Sequence, residues 1–304
     1  MEAMRYEEFG GPDVLHLVRL DAPRPGPGQV RAAVRAAGVN PIDHKIRNGW
    51  MEGVFPTVLP AIPGTEFAGV VLETGEGVTA FAPGDEVLGR SATGSYASEV
   101  LAEEASLARK ERGLSWEEAA ALPVAAGTAS RVLDELAVAE GETLLLHGAS
   151  GGVGSMAVQL AAARGATVIG TASPANHDYL RVLGAIPVAY GDGLVERVRE
   201  LAPQGVDAVF DAAGRGALPG SVELRGGTTE RIVTIADGDA AKLGVAFSSG
   251  GGGPSAERLA ENARLAAAGE LRVEVAQVFP LADAASAHAL SEGGHVRGKL
   301  VLLP

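Results

Sequence analysis

The chain has 304 residues, 46% of them hydrophobic and 21% charged, enough for about two domains that each bury a core. A formal net charge of −13 argues against nucleic acid or an anionic membrane as a partner, and requires any anionic ligand to be held by local donors against the overall field. There is no cysteine, which excludes disulfides and thiolate-bound zinc. The first residues lack the apolar core of a signal peptide and no run approaches the length of a membrane span, so the expectation is a cytoplasmic protein with no membrane partner.

Residues 1 to about 120 read as short strands broken by turn signals. Pro23-Arg24-Pro25-Gly26-Pro27-Gly28 forms a rigid turn region before a strand at 29–37, and further strands are expected at 67–74 and 85–88, the composition of an antiparallel, barrel-like domain. From about residue 122 the rhythm changes. Strands are expected at 143–147, 166–170, 186–190, 208–210 and 231–235, alternating with helical spacing at 153–164, 177–183 and 194–202. Such alternation implies a parallel sheet with crossover helices, a doubly wound nucleotide-binding architecture. The segment 248–255, with Gly250 to Gly253 in succession, is the expected flexible piece, and a helix near 283–290 and a strand at 299–303 form the tail.

The strongest chemical signal is Leu144-Leu145-Leu146-His147-Gly148-Ala149-Ser150-Gly151-Gly152-Val153-Gly154, which follows a strand and opens a helix. Gly151 lets the backbone approach a pyrophosphate, Gly154 lets helix and strand pack closely, and the helix N-terminus supplies free N–H groups and partial positive charge. Ala149 stands where the usual G-x-G-x-x-G has its first glycine, so the fingerprint is a variant. Dinucleotide binding therefore falls to Ala149, Ser150, Gly151, Gly152 and Val153. An NAD-preferring site places a carboxylate at the end of the second strand. This chain reads Thr171-Ala172-Ser173-Pro174-Ala175-Asn176-His177 there, with no carboxylate before Asp178. Ser173 and His177 offer hydrogen bonds to a 2′-phosphate and Arg181 adds charge, which favours NADPH; the alternative is that Ser173 or Asn176 simply caps the next helix.

The stretch 121–158, together with Gly38-Val39-Asn40-Pro41-Ile42-Asp43-His44-Lys45, Pro63-Gly64-Thr65-Glu66-Phe67-Ala68-Gly69, Gly94-Ser95-Tyr96-Ala97 and 294–301, resembles the zinc-free quinone oxidoreductase (zeta-crystallin-like) branch of the medium-chain dehydrogenase/reductase superfamily. The resemblance runs nearly end to end. It implies an α/β protein with a GroES-like β-rich catalytic domain, residues 1–121 rejoined by a tail at 270–304, and a Rossmann doubly wound parallel-sheet domain at 122–269, with the active site in the cleft between them. Zinc-dependent relatives carry Cys where this chain has Asn40 and His where it has Thr65, so the expectation is no metal and direct hydride transfer. By resemblance Asn40 lies near the nicotinamide and Asp43 supports the site. Lys45 falls where many quinone reductases have Tyr and where related enone reductases have Lys, which raises reduction of a conjugated C=C bond. The blander reading of Asn40, Asp43 and Lys45 is loop structure and a solvated charge.

The resemblance also assigns Thr128, with Ala126-Gly127, to the nicotinamide carboxamide. It puts Tyr190 near the 2′-phosphate, Ala212 and Ala213 along the ribose, and Thr171 and Ile235 at strand ends beside the cofactor. Phe247 and Lys299 are assigned to the nicotinamide end or, alternatively, to structure. The chain is short for the branch around 236–255, a loop that shapes the acceptor pocket. The expected function is an NADPH-dependent reductase of a small-molecule electrophilic acceptor, a quinone or α,β-unsaturated carbonyl. Alternatives are an enoyl-thioester reductase, for which Arg47 and Arg90 are candidate contacts to a phosphopantetheine or CoA arm, and a non-catalytic NADPH-binding protein. A homodimer is expected through extension of the Rossmann sheet, with 273–278 as the edge strand.

Overall fold

The structure is a computed structural model that describes residues 1–250 and 255–304; the middle of the expected flexible segment, 251–254, lies outside the described residues. In chain order the elements are β1 (Glu2–Arg5), β2 (His16–Arg19), β3 (Gln29–Val39), α1 (Pro41–Arg47), β4 (Glu66–Thr74), β5 (Glu86–Arg90), β6 (Glu99–Glu103), β7 (Leu107–Arg109) and α2 (Trp116–Glu135). There follow β8 (Thr143–His147), α3 (Gly152–Ala163), β9 (Thr167–Ala172), α4 (His177–Val182), β10 (Ala185–Ala189), α5 (Leu194–Leu201), β11 (Ala208–Asp211), α6 (Leu218–Leu224), β12 (Ile232–Thr234), α7 (Ala240–Leu243) and β13 (Ala246–Phe247). The chain closes with α8 (Ala256–Ala267), β14 (Val275–Pro280), α9 (Ala284–Gly293) and β15 (Lys299–Leu303). Two compact units result, Met1–Gly127 with Gly253–Pro304, and Thr128–Gly252, so the division falls inside α2.

The first unit is built on a sheet of order β14-β15-β3-β4-β5-β7, with β6 paired to β3. In the first half of β3 Val30, Ala32 and Val34 are buried while the residues between them are less so, the period-2 pattern of a half-buried strand. Its last four residues, Ala36 to Val39, are all buried. Gly38 explains why: a Cβ there would lie 2.7 Å from the Ala120 carbonyl oxygen of α2, so helix and strand touch backbone to backbone. Phe67, Tyr96, Val100 and Leu300 belong to the core of this unit. Helix α8 packs against β7, which places it in this unit together with the tail.

The second unit is a six-stranded parallel sheet of order β10-β9-β8-β11-β12-β13. Strand β8 is buried along its whole length, as a parallel strand covered on both faces must be. The strand order reverses direction between β8 and β11, and a ligand of such a sheet binds beyond the carboxyl ends at this switch point. Gly148 follows β8 with φ +73°, and Gly151 opens α3 as an extended N-cap without a side-chain cap bond. At Gly154 a Cβ would approach the Gly148 carbonyl oxygen to 2.1 Å and the Ala149 Cα to 2.8 Å.

One expectation is corrected. The segment 273–278 does contain an edge strand, β14, but it pairs in parallel with β15 in the first unit's sheet, not with the Rossmann sheet. The Lys299 N–H donates to the Glu274 carbonyl at 2.9 Å and fixes this register. Alternation identifies an edge; it does not say which sheet the edge belongs to. The edges of the six-stranded sheet are β10 and β13.

Because neighbouring backbone would have to yield, Gly154→Ala is expected to cost about 1–3 kcal/mol. Urea unfolding of the two proteins checks this; an unchanged midpoint would show that the turn relaxes freely.

Candidate active site

The expected site residues fall into two groups, one in each unit. In the first unit, Asn40 ends the buried run of β3 and is the N-cap of α1, with Pro41 in the first turn, where its missing N–H costs nothing. Asp43, three residues on, accepts the Asn40 backbone N–H on Oδ2 at 2.9 Å. This is the reciprocal half of a capping box, and it supports the structural reading of Asp43. The surroundings go further than a cap. The Tyr96 hydroxyl also donates to Asp43 Oδ2, at 3.0 Å, and the Tyr96 oxygen is met by His288 Nε2 at 3.2 Å. His288 Nδ1 faces Arg47 Nη1 at 2.8 Å.

The direction of this chain follows from donor inventory. A guanidinium only donates, so His288 Nδ1 accepts and the neutral ring carries its hydrogen on Nε2. Burial, reinforced by Arg47 and His44, pushes the His288 pKa down to about 3, which keeps the ring neutral. Arg47 completes its set with the Gly10 carbonyl at 3.0 Å and a contact to Glu292. It is wholly buried, so the expectation that Arg47 is available to a thioester arm is corrected: its charge is spent between α1 and α9. Asp43 Oδ1 is buried and has no partner among the described residues. Burial pushes the Asp43 pKa up to about 7, opposed by the bonds from Asn40 and Tyr96 and by Lys299.

Lys299, the first residue of β15, is 4% exposed and donates to the Val39 carbonyl at 3.1 Å, to Glu66 Oε1 at 2.7 Å and to Asn40 Oδ1. These bonds use its three hydrogens, which favours the structural of the two readings for this side chain. Glu66 is fully buried; its Oε1 also accepts Asn40 Nδ2 at 2.8 Å, and its Oε2 accepts the Val124 N–H at 2.6 Å. Lys45 is half-buried on α1, and its ammonium makes no hydrogen bond or ion pair among the described residues.

In the second unit Thr128 lies in α2, Gly152 and Val153 in the first turn of α3, and His177 at the start of α4; the other expected cofactor residues sit at or just beyond the carboxyl end of a strand or in the turn that follows. Thr171, near the end of β9, accepts the Gly148 N–H on its hydroxyl at 3.1 Å, and its carbonyl accepts the Ala149 N–H at 3.1 Å, which pins the glycine turn to β9. Asn176 Nδ2 reaches Ser150 Oγ at 3.3 Å and Ser173 Oγ at 3.4 Å, so one amide ties both hydroxyls. Neither Ser173 nor Asn176 makes a side-chain cap bond. The Nε2 of His177 is buried without a partner among the described residues, while Arg181 is paired with Asp178 at 2.5 Å. Ala212 and Ala213 adjoin Gly148; the Ala213 N–H is held by the buried Asp211 at 2.9 Å. Ile235 donates its N–H to the Asp211 carbonyl at 3.0 Å. Tyr190 and Phe247 are 53% and 49% exposed, so core packing accounts for neither.

The chain is similar to known proteins along its length. The family described as alcohol dehydrogenase GroES-like domain matches residues 26–130, and that described as zinc-binding dehydrogenase matches 183–302. The chloroplast envelope quinone oxidoreductase homolog of Arabidopsis thaliana is 31% identical over 326 residues, covering 100% of this chain and 98% of the relative. The chain belongs to the quinone oxidoreductase family of the medium-chain dehydrogenase/reductase superfamily. It combines a GroES-like domain with a Rossmann domain. The solved quinone oxidoreductase of Escherichia coli complexed with NADPH superposes with a TM-score of 0.87 at 29% identity, covering 100% of both chains. The pikromycin polyketide synthase component PikAII of Streptomyces venezuelae is 49% identical over 165 residues, which is 54% of this chain and 4% of that one. Several other curated relatives are matched over about half their length. No helix among the described residues is long and apolar enough to cross a membrane.

Sequence reasoning missed Glu66, Tyr96, His288 and Asn176 as working parts. Glu66 and Tyr96 stand inside the family-like motifs, but their partners are remote in the chain. His288 carried no local signal at all.

Asp43 holds its proton more tightly folded than unfolded. Its contribution to stability is therefore full below 3.8 and is lost as pH rises through about 7. Asp43→Asn, which has no such proton to lose, is expected to gain on wild type as pH rises from 3.8 to about 7. Denaturant unfolding across that range checks it, and a constant difference between the two proteins would refute the raised carboxyl.

Proposed function

We propose that the protein is an NADPH-dependent, zinc-independent reductase that transfers hydride to a quinone or an α,β-unsaturated carbonyl. The observation that carries the cofactor assignment is the end of β9: two serine hydroxyls tied by Asn176, a buried imidazole nitrogen without a partner at His177, and no carboxylate before Asp178. A carboxylate there would bind the ribose 2′-OH and repel a 2′-phosphate; hydroxyl and imidazole donors do the reverse. The glycine turn fits the pyrophosphate. At Gly151 a Cβ would meet nothing closer than the Gly148 carbonyl oxygen at 3.4 Å, so the face is open, and the first N–H groups of the 12-residue α3 lack intrahelical partners. NADPH, when bound, supplies the hydride. Thr128, Thr171, Tyr190, Ala212, Ala213, Ile235 and Phe247 are assigned to its cradle.

The donor set does not fit zinc. The chain has no cysteine, and at the position of the family's cysteine ligand Asn40 and the neighbouring Glu66 are already bonded to a lysine ammonium. A second cation there would face direct repulsion. An acceptor oxygen that gathers charge during hydride transfer must then be met by hydrogen-bond donors, for which Asn40 and the unpaired Lys45 are assigned, with Asp43 in support.

Likeness to a polyketide synthase component favours a second reading, reduction of an enoyl thioester. The decisive assay is nicotinamide oxidation with p-benzoquinone, a simple conjugated enone and a short enoyl thioester. NADPH is expected to outperform NADH with at least one of the first two. Turnover confined to the thioester would select the second reading, and none with any acceptor would leave a non-catalytic NADPH-binding protein. His177→Ala is expected to weaken NADPH binding roughly tenfold, one charge-assisted hydrogen bond, while leaving NADH binding within about twofold. Equal losses for both cofactors would detach His177 from the 2′-phosphate.

We also infer a homodimer, joined through an open edge of the six-stranded sheet, whose edges are β10 and β13. A monomeric mass in sedimentation velocity would overturn it.

A further inference from the structure

The buried ion pair Lys299–Glu66 is built around one amide. We propose that Lys299 and Glu66 are positioning residues that lock the carboxamide of Asn40 in a single orientation and leave it with one N–H to give to a ligand oxygen. The inference rests on the reading of this chain as a hydride-transfer reductase.

The geometry leaves no choice of rotamer. An ammonium has only hydrogens to offer, so the Asn40 atom beside Lys299 Nζ is the carbonyl Oδ1. The amide nitrogen then faces Glu66 Oε1 at 2.8 Å, where a carboxylate requires a donor. Flipping the amide would set nitrogen against ammonium and oxygen against carboxylate, two repulsions in place of two charge-assisted bonds. One Nδ2 hydrogen is used on Glu66, and the other has no partner among the described residues. Asn40 itself is 5% exposed, and with Oδ1 held by Lys299 and one hydrogen by Glu66, this hydrogen is the donor that its side chain still has to give.

Each member of the pair is held in turn. Lys299 Nζ also donates to the Val39 carbonyl, and Glu66 Oε2 takes the Val124 N–H, so neither charge is free to swing. Gly38 is part of the fitting: a Cβ there would meet Glu66 Oε1 at 2.3 Å. A buried ion pair retained only for stability is commonly replaceable by a neutral pair of like volume. What a neutral pair cannot do is dictate which end of Asn40 is the donor.

The double variant Glu66→Gln/Lys299→Met tests that difference, since it removes both charges and leaves no uncompensated one. It is compared with wild type, with Asn40→Ala and with the triple variant. Three quantities are read: thermal midpoint, NADPH dissociation constant by fluorescence titration, and kcat with the best acceptor. The expected result is a folded double variant that binds NADPH within about threefold of wild type and has kcat reduced by about 10², the usual loss for a misplaced oxyanion donor. In the Asn40→Ala background the same two changes are expected to alter kcat by less than about threefold, because Lys299 and Glu66 act through an amide already gone. Equal losses in both backgrounds, or a folded double variant with wild-type kcat, would overturn the proposal. A double variant that does not fold is replaced by Lys299→Arg, which keeps the charge pair but not the point geometry of an ammonium. In the same cycle, a kcat loss that vanishes in the Asn40→Ala background supports the proposal, and an equal loss in both backgrounds overturns it. Absence of turnover in the wild-type protein with every acceptor would instead count against the reductase reading, and the two failures are thus distinct.

Discussion

The first unit is organised around a carboxylate that no water reaches. Glu66 opens β4, Lys299 opens β15, Asn40 follows β3 and begins α1, and Val124 lies in α2; all of them meet at two oxygen atoms. Ionised groups this deep are costly to desolvate unless each lone pair and hydrogen is answered. Here both oxygens of Glu66 and the three hydrogens of Lys299 are answered, and removal of one partner alone would leave the other as a buried unpaired charge. The elements therefore cannot shift independently. A slip of β15 or a lift of α1 would break charge-assisted bonds rather than slide one apolar surface over another, so the polar cluster fixes a register that the surrounding alanines and valines alone would leave loose.

Much of the second unit was legible because its chemistry is local. Thr143 to His147, the turn through Gly154 and the helix behind it are contiguous, and each step has a residue-level cause: an apolar run buried on both faces, glycines where backbone touches backbone, an uncapped helix start. The absence of a carboxylate before Asp178 is likewise read directly from the sequence. The first unit hid its logic in contacts that sequence spacing does not reveal. Glu66 and Lys299 are 233 positions apart, Tyr96 and His288 are 192 apart. A lone histidine in an alanine-rich helix reads as ordinary, and an arginine four residues after Asp43 reads as available; packing of α1 against α9 decides otherwise for both. The strand β14 failed for a related reason, since an alternating edge pattern is compatible with either sheet.

The two units meet the same electrostatic problem in different ways. With a net charge of −13, the protein gains nothing from its global field when it meets an anion. In the second unit the groups assigned to the cofactor are local hydrogen-bond donors, backbone amides, hydroxyls and one imidazole, with Asn176 tying two of the hydroxyls. The guanidinium of Arg181 is already paired with Asp178. In the first unit formal charges are present but are neutralised within the cluster, Lys299 by Glu66 and Arg47 by Glu292, and act on their neighbours by direction rather than by net field.

That direction has a single source at each end of the polar chain. Arg47 and Lys299 can only donate, and between them stand groups that can point either way: an imidazole, a phenol and a carboxamide. With the two ends fixed, His288 accepts at Nδ1 and gives at Nε2, Tyr96 receives from His288 and gives to Asp43, and Asn40 receives at Oδ1 and gives at Nδ2. No member can reverse without opposing a cation. Among the described residues, the second hydrogen of Asn40 Nδ2 and the lone pairs of Asp43 Oδ1 have no partner. They lie at the same helix start, and they are of opposite kind, one a donor and the other an acceptor that takes up a proton near pH 7. A site for a reaction that places negative charge on an oxygen needs its dipoles set before the charge appears, since turning them afterwards adds to the barrier. The fixed cations at both ends of this chain do that setting in the folded protein itself.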